Sequence, residues 1–253
     1  MISVPKPFLS PRSPTPPECV ERPKASDCDS CGARALSVCG AVEDADLERL
    51  GALAEVVNLK AGAVLIREGE PAPYVFNITT GSLRVYKLLP DGRRQITGFL
   101  FAGDFLGLAI GETYVFSAEA MEPSTVCCFR KSDYRTLIRE TPALEAALLD
   151  RATHELAAAQ NQMLLLGRKT ALERIATFLL DLPGHDPARA TTEGLVRLPM
   201  TRSEIADYLG LTIETVSRVL TKLKTSGVIR LISLTELQIE NAGRLRGLAD
   251  GEA

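Results

Sequence analysis

The sequence predicts an α+β chain: an N-terminal antiparallel β-barrel or jelly roll, a long helix, and a C-terminal helix–turn–helix. Three observations carry that prediction. Short β-branched and aromatic runs broken by glycine fill residues 56–130, a helical pattern begins at Pro142, and two short helices flank a glycine within residues 201–220. With 253 residues the chain is long enough for two domains. Its net charge of −3 offers no bulk attraction to nucleic acid or to an anionic membrane. No run approaches the ~20 apolar residues that span a bilayer, and the first residues lack the apolar core of an export signal. The expected compartment is therefore the reducing cytoplasm, where the six cysteines point to metal binding more than to disulfides.

Seven of the 15 prolines fall within residues 1–24, a density that blocks helix and sheet, so residues 1–27 are expected to be a disordered tail. Cys19 lies in that tail and is expected to be a free thiol. Next come Cys28-x2-Cys31-x7-Cys39 and a short amphipathic helix with Leu47, Leu50, Leu53 and Ala54 on one face. Five strand-like runs follow, at residues 63–66, 74–78, 83–86, 95–99 and 125–129. Turn signals such as Thr80-Gly81 and Asp91-Gly92 separate them, as in a small barrel. This domain is expected to occupy residues 28–141.

From Pro142 to Leu180 the pattern is helical throughout. Leu149, Ala152, Leu156, Ala159, Met163, Leu166 and Thr170 recur at spacings of three and four, which predicts a homodimer seam along residues 142–170. A helix packed on its own barrel is the plainer alternative. Pro183-Gly184 and the residues through Ala190 are expected to be a loop within the last domain, 171–253.

In that domain Ile205, Ala206 and Leu209 make one apolar face, Gly210 permits a tight turn, and Val216 and Leu220 bury a second helix. The second helix exposes Glu214, Arg218 and Lys222 at intervals of four, with Ser217 alongside. Arginine can pair with guanine and a carboxylate can accept from cytosine N4, so this face is expected to read base edges in duplex DNA. Thr201, Arg202, Thr212, Thr215, Lys222 and Lys224 are the candidates for phosphate contacts. A solvated face carrying a Glu214–Arg218 pair is the bland alternative. Residues 170–253 hold 10 basic and 11 acidic side chains, so the attraction to DNA is local to one helix.

The order of barrel, long helix and helix–turn–helix resembles the CRP/FNR superfamily of bacterial transcription regulators, over about residues 28–245. Glu214-x-x-Ser217-Arg218 is similar to the readout motif of its FNR branch. The resemblance implies a winged helix–turn–helix, base reading by Glu214, Ser217 and Arg218, and a palindrome close to TTGAT-N4-ATCAA. Ile213 stands where the cyclic-AMP-responsive branch has arginine. Nucleotide-binding members hold the phosphate with an arginine; here none occurs between Arg94 and Arg130, so no cyclic nucleotide is expected.

The cysteines carry the alternative. Three thiols on one loop plus Cys127 from a strand suit either an iron–sulfur cluster or a tetrahedral zinc, and spacing does not separate the two. The resemblance, here to the FnrL/FnrN-like oxygen sensors, implies a [4Fe-4S] cluster on Cys28, Cys31, Cys39 and Cys127, one per subunit. Adjacent residues on a strand face opposite ways, so only one of Cys127 and Cys128 can ligate, and Cys127 is preferred. The enteric oxygen sensor has an acidic residue where this chain has Ala159, so dimerisation here should depend less on the cluster. The resemblance also implies that residues 90–94 touch RNA polymerase, though an exposed turn reads the same. A FixK-like regulator without a cluster, controlled by abundance or thiol oxidation, is the alternative function. His154 and His185 stand apart from any nucleophile, and no enzyme is expected.

Overall fold

The structure is a computed structural model and describes residues 28, 30–107, 111–185 and 194–252. Cys19, the proline-rich tail and most of the expected loop after Gly184 lie outside the described residues.

Two 3-10 turns, Arg34–Leu36 and Val38–Ala41, lead into α1 (Asp44–Leu53). Asp44 and Asp46 sit in the first turn of α1, where carboxylates complement the helix dipole, and Leu47 and Leu50 are buried. Eight strands follow: β1 (Glu55–Leu59), β2 (Val64–Ile66), β3 (Tyr74–Thr80), β4 (Ser82–Leu88), β5 (Arg94–Phe101), β6 (Phe105–Leu106), β7 (Ser117–Ala120) and β8 (Ser124–Arg130). They form two antiparallel sheets, ordered β1-β8-β3-β6 and β2-β7-β4-β5, closed over Ile78, Leu83, Val85 and Val126. This is the expected jelly-roll barrel. The turn from β3 to β4 requires glycine: Gly81 has φ +80°, and a Cβ there would lie 2.2 Å from the Ser124 hydroxyl.

The pleat of β8 separates two cores. Val126 and Cys128 face the barrel interior, while Cys127 and Phe129 face the opposite side. That outer side is covered by α1, by α2 (Lys131–Glu140) and by the start of α3 (Pro142–Arg168), with Val38, Tyr134, Leu144 and Leu148 packed together. Leu144 is 0% exposed. Leu144→Ala is therefore expected to destabilise the protein by about 2–5 kcal/mol, read as a lower denaturation midpoint in urea.

The helix expected to run unbroken to Leu180 is interrupted at Lys169 and Thr170. There α3 ends and α4 (Ala171–His185) begins. Lys169 is extended at ψ 143°. The Thr170 amide donates to Glu173 Oε2 at 2.9 Å, and the Glu173 amide donates back to Thr170 Oγ1 at 3.4 Å, a reciprocal helix start. Arg174 stabilises the corner. Its guanidinium donates to the carbonyls of Lys169, Leu166 and Leu209 at 2.9, 2.9 and 2.8 Å. The α4 backbone also continues through Pro183 and Gly184, where a loop was expected.

The C-terminal domain adds β9 (Leu195–Arg197), α5 (Arg202–Leu209), α6 (Ile213–Thr225), β10 (Ile229–Leu231), β11 (Glu236–Ile239) and α7 (Ala242–Ala249). The strands pair in the order β10-β11-β9 and form the wing. Ile175, Leu209, Leu220 and Leu237 are at its core.

Along α3, Leu149, Leu156 and Met163 are 69%, 61% and 66% exposed, and Ala152 and Ala159 are exposed with them. Among the described residues this stripe has no partner covering it. Leu166 differs: it is half-buried against the core of its own C-terminal domain, because the chain turns at Lys169. Among the described residues, no helix is long and apolar enough to cross a membrane.

Candidate DNA-reading helix and cysteine pocket

Thr201-x-x-Glu204 starts α5 with a capping box. The Thr201 hydroxyl accepts from the Glu204 amide, and Glu204 Oε2 accepts from the Thr201 amide at 2.7 Å. The hydroxyl also donates to Glu204 Oε2 at 2.8 Å, and Thr201 itself stays exposed at the start of α5. Gly210 closes α5 at φ 62° and ψ 41°, the left-handed conformation that lets the chain turn at once into α6. Thr212 caps α6 by accepting from the Thr215 amide at 3.3 Å.

Val216, Leu220 and Leu223 bury one side of α6. On the other side Glu214, Arg218, Lys222 and Lys224 are exposed, and Ser217 and Thr215 are half-buried. Arg202 is half-buried at the start of α5. Arg218 Nη2 donates to Thr215 Oγ1 at 3.3 Å, which lays the guanidinium along the outer face. The Glu214 carboxyl is held below its usual range by its own backbone amide, then by the Thr212 side chain, then by Arg218. It is therefore an ionised acceptor at neutral pH. An exposed cation and an exposed carboxylate one turn apart on a helix can address guanine and cytosine edges in a major groove.

The second candidate site lies on the other domain. Cys28, Cys31, Cys39 and Cys127 line one pocket, with Leu47, Leu50, Ala54 and Phe129 as its apolar walls. The second 3-10 turn carries Cys39, while Cys28 and Cys31 precede the first, and the Ser37 hydroxyl fixes the second turn by accepting from the Cys39 amide at 3.3 Å. Burial pushes the Cys127 thiol up to about 12, with the neighbouring Cys39, Cys31 and Cys28 adding to it. Burial likewise raises Cys39. Unligated, the Cys127 and Cys39 thiols are thus neutral, and a bound cation would have to drive off their protons. Among the described residues no three His, Cys, Asp or Glu side chains already stand in metal-ligating geometry. The donor set nevertheless fits an iron–sulfur group: four thiols from two distant segments, dry walls and one amide donor.

That donor is Asn77, which the sequence reading missed. Its Nδ2 lies 3.6 Å from Cys39 Sγ, and its Oδ1 is buried with no hydrogen-bond partner. Asn77 interrupts an otherwise apolar and aromatic run on β3, a signal visible in the sequence. The structure places Cys128 elsewhere, 1% exposed inside the barrel. A further cavity of about 560 Å³ opens between the barrel and α3. Val85, Leu100, Phe116 and Glu155 are among its walls, and among the described lining residues none is an arginine.

Comparison with known proteins follows the same division. Residues 56–141 match the family model of a cyclic nucleotide-binding domain, and residues 173–248 match a Crp-like helix-turn-helix domain. The chain is 45% identical to the transcriptional activatory protein AadR of Rhodopseudomonas palustris, over 80% of this chain and 84% of that one. It is 41% identical to the nitrogen fixation regulation protein FixK of Bradyrhizobium diazoefficiens, over 83% and 89%. The transcriptional activator protein FnrL of Cereibacter sphaeroides is 36% identical over 86% and 90%. The structure of FixK2 from Bradyrhizobium japonicum aligns with a TM-score of 0.71 at 39% identity, covering 77% of this chain and 96% of that one.

Proposed function

The chain belongs to the CRP/FNR family of transcription regulators, and we propose that it is an oxygen-responsive member that binds an FNR-type palindrome as a homodimer. In this reading Glu214, Ser217 and Arg218 read bases, while Arg202, Thr212, Thr215, Lys222 and Lys224 hold the backbone. The exposed stripe from Leu149 to Met163 faces the same stripe of a second copy. The exposed tip of residues 90–94, at the β4–β5 turn beside the exposed Leu88, touches RNA polymerase, while Arg94 itself is turned onto Asp207 of α5.

The observation that carries the sensing half is the pocket shared by Cys28, Cys31, Cys39 and Cys127. These four residues hold a [4Fe-4S] cluster, and the Asn77 amide is placed to donate to a ligating sulfur. When bound, the cluster supplies oxygen-labile redox chemistry. The chain does the rest. With the four thiols joined, residues 28–39 are held against β8, and Val38 keeps its place beside Leu144 and Leu148 at the root of α3. With the thiols free, that hold on α3 is lost.

A FixK-like regulator without a cluster is the second reading. The 41% identity to FixK and the likeness to FixK2 favour it. Purification without oxygen separates the two. Brown protein with iron and sulfide near about four each per chain supports the cluster; colourless protein with one zinc or none supports the second reading. The same preparation, stripped of its cluster, is expected to remain partly dimeric by ultracentrifugation, because Ala159 places no charge at the seam. A clean monomer at micromolar concentration overturns that expectation.

A further inference from the structure

The outer face of β4 and β5 is not left to solvent; it receives the helix–turn–helix. Arg84 on β4 pairs with Glu119 of β7 and with Glu204 of α5, and the Glu204 side chain is only 6% exposed. Arg94 on β5 donates through Nε and Nη2 to Asp207 Oδ2, at 3.0 and 2.8 Å. Gln95 Nε2 donates to the Asp207 carbonyl at 2.7 Å. Phe99, the cross-strand partner of Arg84, packs its ring 5.1 Å from that of Tyr208. Glu204 and Asp207 are three apart and share one side of α5, so the helix offers two carboxylates to two arginines of a single sheet. Glu214 and Arg218 stay exposed on α6 throughout.

We propose that this sheet is a socket which fixes the orientation of the helix–turn–helix and thereby sets the half-site spacing the dimer accepts. Arg84 and Arg94 are its positioning residues. The proposal rests on the reading that the chain binds palindromic DNA as a dimer. One added base pair moves a half-site by about 3.4 Å and turns it by about 35° around the duplex. Two rigidly seated reading helices cannot both follow, and the gain from engaging two sites at once is lost. A released domain can follow, at the expense of weaker binding at the natural spacing.

The test measures binding of full-length protein, prepared without oxygen, to duplexes carrying TTGAT half-sites at spacings N3, N4 and N5, and to one carrying a single half-site. The wild type is expected to lose about 100-fold between N4 and N5. Arg94→Asp and Arg84→Met should lose less than about tenfold, through weaker N4 binding, with single half-site affinity within about twofold of wild type. The charge swap Arg94→Asp with Asp207→Arg should restore the wild-type ratio, an effect a merely structural arginine would not produce. A wild-type spacing ratio in both single variants overturns the proposal, and so does tighter N4 binding on release. A swap that fails to restore the ratio overturns it too, including when Arg94→Asp alone does not fold. Wild type that binds none of the duplexes overturns the proposed function instead.

Discussion

Arg218→Ala is expected to remove most of the sequence-specific binding to the proposed FNR-type palindrome while leaving the proposed dimer intact. A bidentate arginine–guanine contact discriminates by about 1–3 kcal/mol, so two copies in a dimer contribute about 2–6 kcal/mol, roughly 30-fold to 10⁴-fold. Arg218 is exposed, hydrogen-bonds the Thr215 hydroxyl and acts on the exposed Glu214 carboxyl, so its removal leaves no fully buried group unpaired. The loss therefore falls on DNA binding and not on stability. Anisotropy titrations against the palindrome and a scrambled duplex measure it. Lys224→Ala is the contrasting control: it should weaken both duplexes alike and reduce the salt slope by about one per subunit. Unchanged palindrome binding by Arg218→Ala refutes the reading helix.

Cys127→Ser, purified without oxygen, falls from about four irons per chain to little or none. The neighbouring Cys128→Ser keeps its iron. The two thiols are adjacent in sequence, yet Cys127 lines the pocket with the loop cysteines while Cys128 is 1% exposed among Phe76, Ile78 and Val126. A hydroxyl at Cys128 meets apolar neighbours and should lower the thermal midpoint. At Cys127 it would remove one of the four proposed soft ligands and leave the barrel unaltered. Iron content, visible absorbance and thermal midpoint on both variants give the result. Equal iron loss in the two variants, or iron retained in Cys127→Ser, overturns the assignment.

Much of this molecule was legible because its signals are local. The β-branched and aromatic runs at residues 74–78 and 125–129, the turns at Gly81 and Gly92, and the frame around Gly210 each lie within a few residues, where backbone sterics act directly. The break at Lys169 also had a local sign that went unread. Thr170-x-x-Glu173 is a helix start inside a run of good helix formers, and the apolar periodicity masked it. The short strands β6 and β7 had no such sign. Two to four residues carry no periodicity, and pairing with β3 and β4 is what makes them strands.

By itself the sequence determined the barrel, the long helix and the helix–turn–helix, because each is written in spacing along the chain. The joining of Cys127 to the cysteine loop was only what the family resemblance implied. Tertiary structure alone decided three other matters. It set which face of β8 meets the loop, it turned Leu166 away from the seam, and it seated Glu204 and Asp207 on Arg84 and Arg94. Those contacts join residues up to 120 positions apart. No local preference encodes a meeting at that separation; it exists only once two independently folded surfaces bring complementary charge and shape together.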